Sequence, residues 1–444
     1  MFNNLLFPLL TLMIASNAGA NPQLPGGEYS VDAKGIQAFS LPVKNLTPKE
    51  LTSFMVGNSL FRSNWVTNGA SVDKLQGLGP TFNARSCSGC HMNDGRSAPN
   101  NTSGPAGVGV LFRISTAKGE PHAVYGDQIQ PQGILTVKGE GEPYIDYQEK
   151  FYQYNDGEKY SLLHPSYSIR NVNYGELGEV LISPRVAPIV IGLGLLENIP
   201  QKDLLKNADP EDKNNDGISG RPNWIIEGKT KRIGRFGHKA NRPSLRAQNS
   251  GAFLGDMGIT SSLHRDQNCS KEQADCTSAM ELKRLEINDE DLERMIFYTA
   301  MLAVPKRRMV NVQKITQGEK IFEQINCIGC HVASFTTGPS VQKQLSKQKI
   351  FPYTDLLLHD MGEELADHRP DQLASGTEWR TPPLWGVGLI KVVNNHERLM
   401  HDGRARNINE AILWHGGEAK KSQQQYIQLT KDERLALISF IESL

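Results

Sequence analysis

The sequence predicts a mainly α-helical chain with β-hairpin insertions, organised as two domains of one kind. Three observations predict it. The pentapeptide Cys87-Ser-Gly-Cys90-His91 recurs as Cys327-Ile-Gly-Cys330-His331. Each copy follows a stretch with helix-start signals, Thr47-Pro48-Lys49-Glu50 before the first and Thr316-x-x-Glu319 before the second. Between the copies, residues 108–175 turn to short β-branched runs punctuated by Gly, Asn and Asp. The C-x-x-C-H form is that of a covalent haem c site. Two thiols add across the vinyl groups of one porphyrin, and the adjacent imidazole coordinates the iron as proximal ligand. Two intervening residues let the sulfurs straddle the macrocycle. A single such pentapeptide could be a zinc or redox C-x-x-C pair beside a chance His. Two of them predict two cytochrome c-like haem domains, each with one covalently bound haem c.

Length and charge bound the reading. A chain of 444 residues holds two or three domains with sizeable cores. Lys plus Arg (48) balance Asp plus Glu (48), so the chain lacks the basic footprint of a nucleic-acid binder. Any steering of a partner must come from a local patch.

The N-terminus predicts the compartment. Leu5 to Ala15 is an apolar run too short to span a bilayer comfortably, and Ala18-Gly-Ala20 follows as a small-x-small cleavage site. Residues 1–20 are therefore expected to be a signal peptide, which places the mature protein in the periplasm. The n-region lacks Lys and Arg, which leaves an uncleaved anchor as the competing reading. No later stretch is apolar enough to span a membrane. Haem c is attached outside the cytoplasm, so export and the two motifs agree.

The mature chain is expected to divide near Pro305. Residues 21–305 form an N-terminal haem c domain with a β-rich insertion, and residues 306–444 form a C-terminal cytochrome c domain. In the first domain, the helix capped at Thr47 carries Leu51, Phe54 and Met55 on one face. Val110 to Ile114 and Ile134 to Val137 read as strands, and Asn155-Asp156-Gly157 as a hairpin turn. The apolar stretch Ser183 to Pro200 reads as a buried helix. Asp212, Asn214 and Asp216 alternate before Gly217, with the Ile218 carbonyl next in line, as in the first half of a calcium loop. The bidentate Glu of an EF-hand is missing, and a solvated Asx-rich turn is the alternative. Cys269 and Cys276 are the two cysteines outside the motifs. In an oxidising compartment they form a small loop-closing disulfide, with a redox-active pair as the sharper alternative. Asp291 to Val304 reads as an amphipathic helix stopped by Pro305. In the second domain, Thr430-x-x-Glu433 caps a terminal helix. First and last helices crossing near the haem edge would close this domain.

Longer strings carry a resemblance. DLLLHDMG from Asp355, GTEWRTPPLWGVGL from Gly376, MHDGRARNINEAILWHGGEA from Met400, GRFGHKA from Gly234 and SPRVAPIVIGLGLLE from Ser183 resemble the di-haem oxidoreductases often labelled thiol oxidoreductases. These are relatives of the bacterial di-haem cytochrome c peroxidases, and the resemblance covers nearly all of the mature chain. One residue departs from the pattern: His238 stands where the family string GRFGWKA has Trp.

The resemblance implies that the C-terminal haem is an electron reservoir and that the N-terminal haem meets a small oxidant such as hydrogen peroxide. Met400 matches the relatives' axial Met, and a thioether ligand raises the potential as a reservoir requires. Core filler is the plainer reading of a Met. Met361 and His359 are alternatives, and His238 could itself ligate iron. For the N-terminal haem, His122 is a candidate removable ligand or a surface His. Glu197 is the candidate base for peroxide cleavage, against an ordinary helix-end carboxylate. Arg185 would stabilise developing negative charge or bind a propionate. A small donor protein of cytochrome c or cupredoxin type would deliver electrons, although the reverse direction fits the residues equally well. An electron carrier with no substrate site and a thiol oxidoreductase using Cys269 and Cys276 are the rival readings.

Overall fold

The computed structural model describes residues 21–279 and 285–444. The expected signal peptide and its cleavage point after Ala20 lie outside the described residues. Among those residues there are twelve α-helices, several single 3-10 turns and thirteen short strands in small antiparallel sheets. The fold is thus mixed α/β, with more strand than the mainly helical class expected. No helix among the described residues is long and apolar enough to cross a membrane.

Two equivalent helix crossings carry the two motifs. In the first, helix Pro48–Arg62 opens with a capping box in which Thr47 and Glu50 satisfy each other's backbone N–H. It buries Phe54, Gly57, Leu60 and Phe61, whereas Leu51 and Met55, expected on the inner face, are exposed. The stripe is rotated because Gly57 is the crossing point with helix Asp289–Met301. A Cβ at Gly57 would overlap the Arg294 carbonyl oxygen and lie 2.6 Å from Tyr298 Cβ. That second helix, capped by Asn288, starts at Asp289, two residues before the expected Asp291, and ends at Met301.

In the second crossing, helix Val312–Gln324 is capped by Asn311, whose side chain accepts from Lys314 N at 3.1 Å. Thr316, expected at the cap, is therefore inside the helix. Asx caps at least as well as Thr, and it opens the helix early enough to bury Ile315 with Gly318, Ile321 and Phe322. Helix Lys431–Ser443 does begin at the Thr430/Glu433 box. Gly318 is its crossing point: a Cβ there would overlap the Ala436 carbonyl oxygen. Phe61 and Phe322, each four residues after its crossing glycine, occupy matching places, with ring centroids 6.1 and 6.2 Å from His91 and His331.

The β-rich insertion is built on a long hairpin, Glu142–Gln153 paired with Lys159–Arg170, closed at Asn155-Asp156-Gly157 where Gly157 has φ +89°. Val110–Ser115 pairs with Leu181–Val186. Ser183–Pro200 is consequently not one buried helix. Its first residues are strand, and only Leu193–Glu197 is helical. Pro184 and Pro188 lack the N–H a helix needs, and Gly192 turns left-handed at φ +67° before the short helix starts. Ile134 to Val137 is not a strand; Gln132–Gly133 pairs with Thr81–Phe82 in its place.

Contacts cross the expected boundary at Pro305. The hairpin reaches over to the second half, where Tyr154 and Leu162 join the core of Phe322, Trp414, Tyr426 and Phe440. Arg434 clamps its tip, 2.9 Å from Asp156 and 2.6 Å from Glu158, with the guanidinium 3.8 Å from the centre of the Tyr154 ring. At the other end, Phe351 N donates to Pro25 O at 2.8 Å.

Candidate functional site

One connected cavity of ≈ 680 Å³ is lined by both C-x-x-C-H motifs. Cys87–Cys90 forms a single helical turn, capped by Ser86, which accepts from Gly89 N at 3.2 Å. Cys327–Gly329 forms a 3-10 turn, entered through left-handed Asn326 at φ 59°. All four cysteines are free thiols, partly exposed toward the cavity.

The two histidines are held in the same way. His91 Nδ1 lies 2.7 Å from the Pro188 carbonyl oxygen, and His331 Nδ1 lies 2.9 Å from that of Tyr353. Each carbonyl accepts a hydrogen bond from Nδ1–H, which leaves Nε2 free to ligate. Burial lowers both pKa values, that of His331 to about 4, so the rings are neutral as ligation requires.

A third histidine shows this arrangement. His415 lines the cavity, and its Nδ1 lies 2.7 Å from the carbonyl oxygen of Ala411, one turn back on helix Ile408–Leu413. Burial lowers its pKa as well. His331 lines the same cavity.

The other expected ligands are placed differently. Met400 lines the cavity with left-handed backbone (φ 70°), its carbonyl accepting from Arg96. Met361 also lines it. His359 has both ring nitrogens engaged, Nε2 2.8 Å from Asp355 and Nδ1 2.7 Å from Glu418. Burial alone would lower its pKa, but these carboxylates hold it well above the ordinary value, so this ring is an imidazolium. His122 accepts from Val124 N and Tyr125 N through Nδ1 in a tight turn outside the cavity. His238 lines the cavity, with Nε2 2.8 Å from Val186 O, and lies near Arg96, Arg185 and His401. Beside it, the Trp379 ring is stacked on His401 at 3.7 Å.

Glu197 lies outside the cavity lining and accepts from Leu245 N at 2.8 Å, which fixes the start of helix Leu245–Met257. Arg185 lines the cavity, 3.0 Å from Asp371. A carboxylate that does face the cavity is Asp256, on helix Leu245–Met257. Gln128 Nε2 donates to its Oδ1 at 2.9 Å. Burial raises the Asp256 pKa, while Gln128, Arg113 and Arg242 pull it back. Its backbone carbonyl accepts from Asn83 N at 2.8 Å and from Ala84 N at 3.1 Å, which places it close to the first motif. The same helix turns Gly251, Ala252 and Gly255 toward the cavity, a face that admits a flat group closely.

The cavity also collects partly or fully buried cations. Arg96, Arg235 and Arg380 line it, donate to backbone carbonyls, and form no ion pair among the described residues. Burial lowers the pKa of each to about 10. Guanidiniums without carboxylate partners are the groups a porphyrin's propionates would neutralise. Paired thiols, Nε2-directed histidines and these cations are a donor set that fits two haems.

Two features lie elsewhere. Cys269 and Cys276 form a disulfide outside the cavity lining, with Cys276 fully buried. In the Asp212–Ile218 loop, Asp212 accepts from Gly217 N, Asp216 from Ile218 N at 2.8 Å, and Asn214 from Asp216 N at 3.0 Å. This is an exposed run of Asx turns. Among the described residues no three His, Cys, Asp or Glu side chains converge as a metal site.

A family sequence model described as "Di-haem oxidoreductase, putative peroxidase" matches residues 21–116 and 124–444. No curated protein matches the chain. Among solved structures, Kuenenia stuttgartiensis hydrazine synthase pressurised with 20 bar xenon is similar over 100% of both chains, at 13% identity and a TM-score of 0.31. A likeness at that score carries no argument.

Proposed function

The chain belongs to the di-haem oxidoreductase family, and from that premise we propose that it is a periplasmic peroxidase-like enzyme with two covalently attached haems. Cys87 and Cys90 would hold one porphyrin with His91, and Cys327 and Cys330 would hold the other with His331. His415 would hold the second iron together with His331, in the place the sequence suggests for Met400. Its anchored Nδ1 and its place on the wall of the cavity that His331 also lines support this assignment. When bound, the haems would supply one-electron redox chemistry.

The observation that carries the enzymatic reading is Asp256, facing the cavity at the first motif with Arg113, Arg242 and Gln128 around it. Asp256 Oδ2, the oxygen not bonded to Gln128, takes a proton from one peroxide oxygen and delivers it to the other as the bond breaks. Gln128 holds the carboxylate in place, and the guanidiniums stabilise the negative charge that develops on the leaving oxygen. Hydrogen peroxide, two electrons and two protons give two waters, the electrons coming from a small donor protein. The apolar run before Ala18-Gly-Ala20 and the Cys269–Cys276 disulfide support an oxidising, exported setting.

The test is peroxide-dependent oxidation of a reduced small cytochrome c or cupredoxin by the haem-loaded protein. Turnover, with a high-spin signal at one haem in the half-reduced state, is expected. Two low-spin haems at every redox state, with no faster donor oxidation when peroxide is added, would identify an electron carrier.

A further inference from the structure

A line of aromatic side chains leads from the cavity wall to solvent along the long hairpin. Trp414 immediately precedes His415, whose ring lines the cavity. The buried Trp414 ring lies 4.8 Å from the His164 ring, centroid to centroid. His164 Nε2 is 2.9 Å from the Tyr152 hydroxyl, with the two rings nearly parallel at 6.3 Å. Tyr152 stacks on Tyr160 across the strands at 5.4 Å, and Tyr160 lies 4.5 Å from Tyr154. Tyr152 is 37% exposed, so the line ends in solvent.

Cross-strand aromatic pairs stabilise any hairpin, and the Tyr152–Tyr160 stack alone would need no other reason. Three features exceed that role. The contacts run without a break from the residue bonded to His415 to the surface. The phenol of Tyr152 faces an imidazole that burial keeps neutral and able to take its proton. The Trp414 Nε1–H is buried without a hydrogen-bond partner, so an oxidised indole has no adjacent base and passes its charge on intact. Arg404 lies 4.7 Å above the Trp414 ring, which opposes positive charge there, but Asp402 at 2.6 Å offsets the guanidinium.

We propose that Trp414, His164, Tyr152 and Tyr160 form a one-electron conduit between the His415 side of the cavity and the hairpin surface. This rests on the reading that the cavity holds redox-active haems. Oxidising charge arriving at Trp414 withdraws one electron from Tyr152, whose phenolic proton moves to His164 Nε2. An external one-electron donor, such as a reduced small protein or metal complex, then supplies an electron to Tyr152 at the surface. The proton returns from His164 and the phenol is restored.

The test uses the haem-loaded ferrous protein with a tris(bipyridyl)ruthenium label on Gln153→Cys at the hairpin end. A laser flash with an external quencher makes the label a one-electron oxidant, and haem oxidation is followed by visible absorbance. Tyr152→Phe with Tyr160→Phe, and separately Trp414→Phe, should each slow haem oxidation by about tenfold, a barrier change of about 1.4 kcal/mol. Tyr144→Phe, on the same hairpin but outside the line, should not. Freeze-quenched samples of the parent should show a tyrosyl radical that the double variant lacks. Equal rates in all variants, or an unchanged radical in the double variant, would overturn the conduit. Because no peroxide is used, absent peroxide turnover would defeat the proposed activity and leave this result standing.

Discussion

His415 holds its Nδ1 2.7 Å from the carbonyl oxygen of Ala411, the geometry by which His91 is held by Pro188 and His331 by Tyr353. An imidazole anchored through one nitrogen presents the other as a ligand in a fixed direction. His415→Ala is therefore expected to convert the second haem from low spin to high spin, read by electron paramagnetic resonance, with added imidazole restoring the low-spin signal. Met400→Leu should leave that signal in place. The opposite pattern would return the ligand to Met400.

Asp256 should set the acid side of the pH profile. Burial raises its pKa, so the carboxylate that accepts the peroxide proton is lost as pH falls, beginning above the ordinary Asp range. Peroxide turnover is expected to fall on that limb. Asp256→Asn should remove the limb and lower kcat/KM by about 100-fold, in the range of a lost general base. Glu197→Gln, away from the cavity, should disturb stability more than the profile.

Gly318 and Ala436 meet where the second helix pair crosses, and a Cβ at position 318 would press on a backbone carbonyl that cannot yield. Gly318→Ala should cost about 3 kcal/mol, the upper part of the overpacking range, in urea unfolding of the haem-loaded protein. Gly57→Ala should do the same in the first pair.

Glu140 is buried beneath the β-rich insertion, accepting from Gln130 N and Gln273 Nε2, each at 2.7 Å. Burial raises its pKa to about 7. A raised folded-state pKa favours the protonated form, so this contribution is complete below about pH 4.5 and is lost as pH rises through 7. Unfolding measured across that window should move in favour of Glu140→Gln relative to the parent, by up to about 3 kcal/mol. A constant difference would show that Glu140 keeps an ordinary pKa in the fold.

The parts legible in the sequence were those whose chemistry is local. Cys87 to His91 and Cys327 to His331 announce themselves because attachment and ligation must occur within five residues. Thr47 and Thr430 were readable as caps for the same reason. His415 was not, although it lay inside the string EAILWHGGEA, because a sixth ligand is chosen by how a distant helix end closes over the cavity. Asp256 opens an Asp-Met-Gly that recurs at Asp360 to Gly362, but repetition alone does not say which carboxylate faces the first motif. The two crossings went unread: Gly57-x3-Phe61 and Gly318-x3-Phe322 match only once the packing shows that the glycines are the contact points. Ser183–Pro200 misled because apolarity without period does not separate strand from helix.

Two porphyrins bound through thioether bonds underlie the proposed activity, and intact mass spectrometry of the denatured mature protein tests for them most directly. Protein matured where haem attachment operates should carry the mass of two haems, and Cys327→Ala with Cys330→Ala should reduce that to one. A mass showing no added haem, with no Soret absorption before denaturation, would contradict the account.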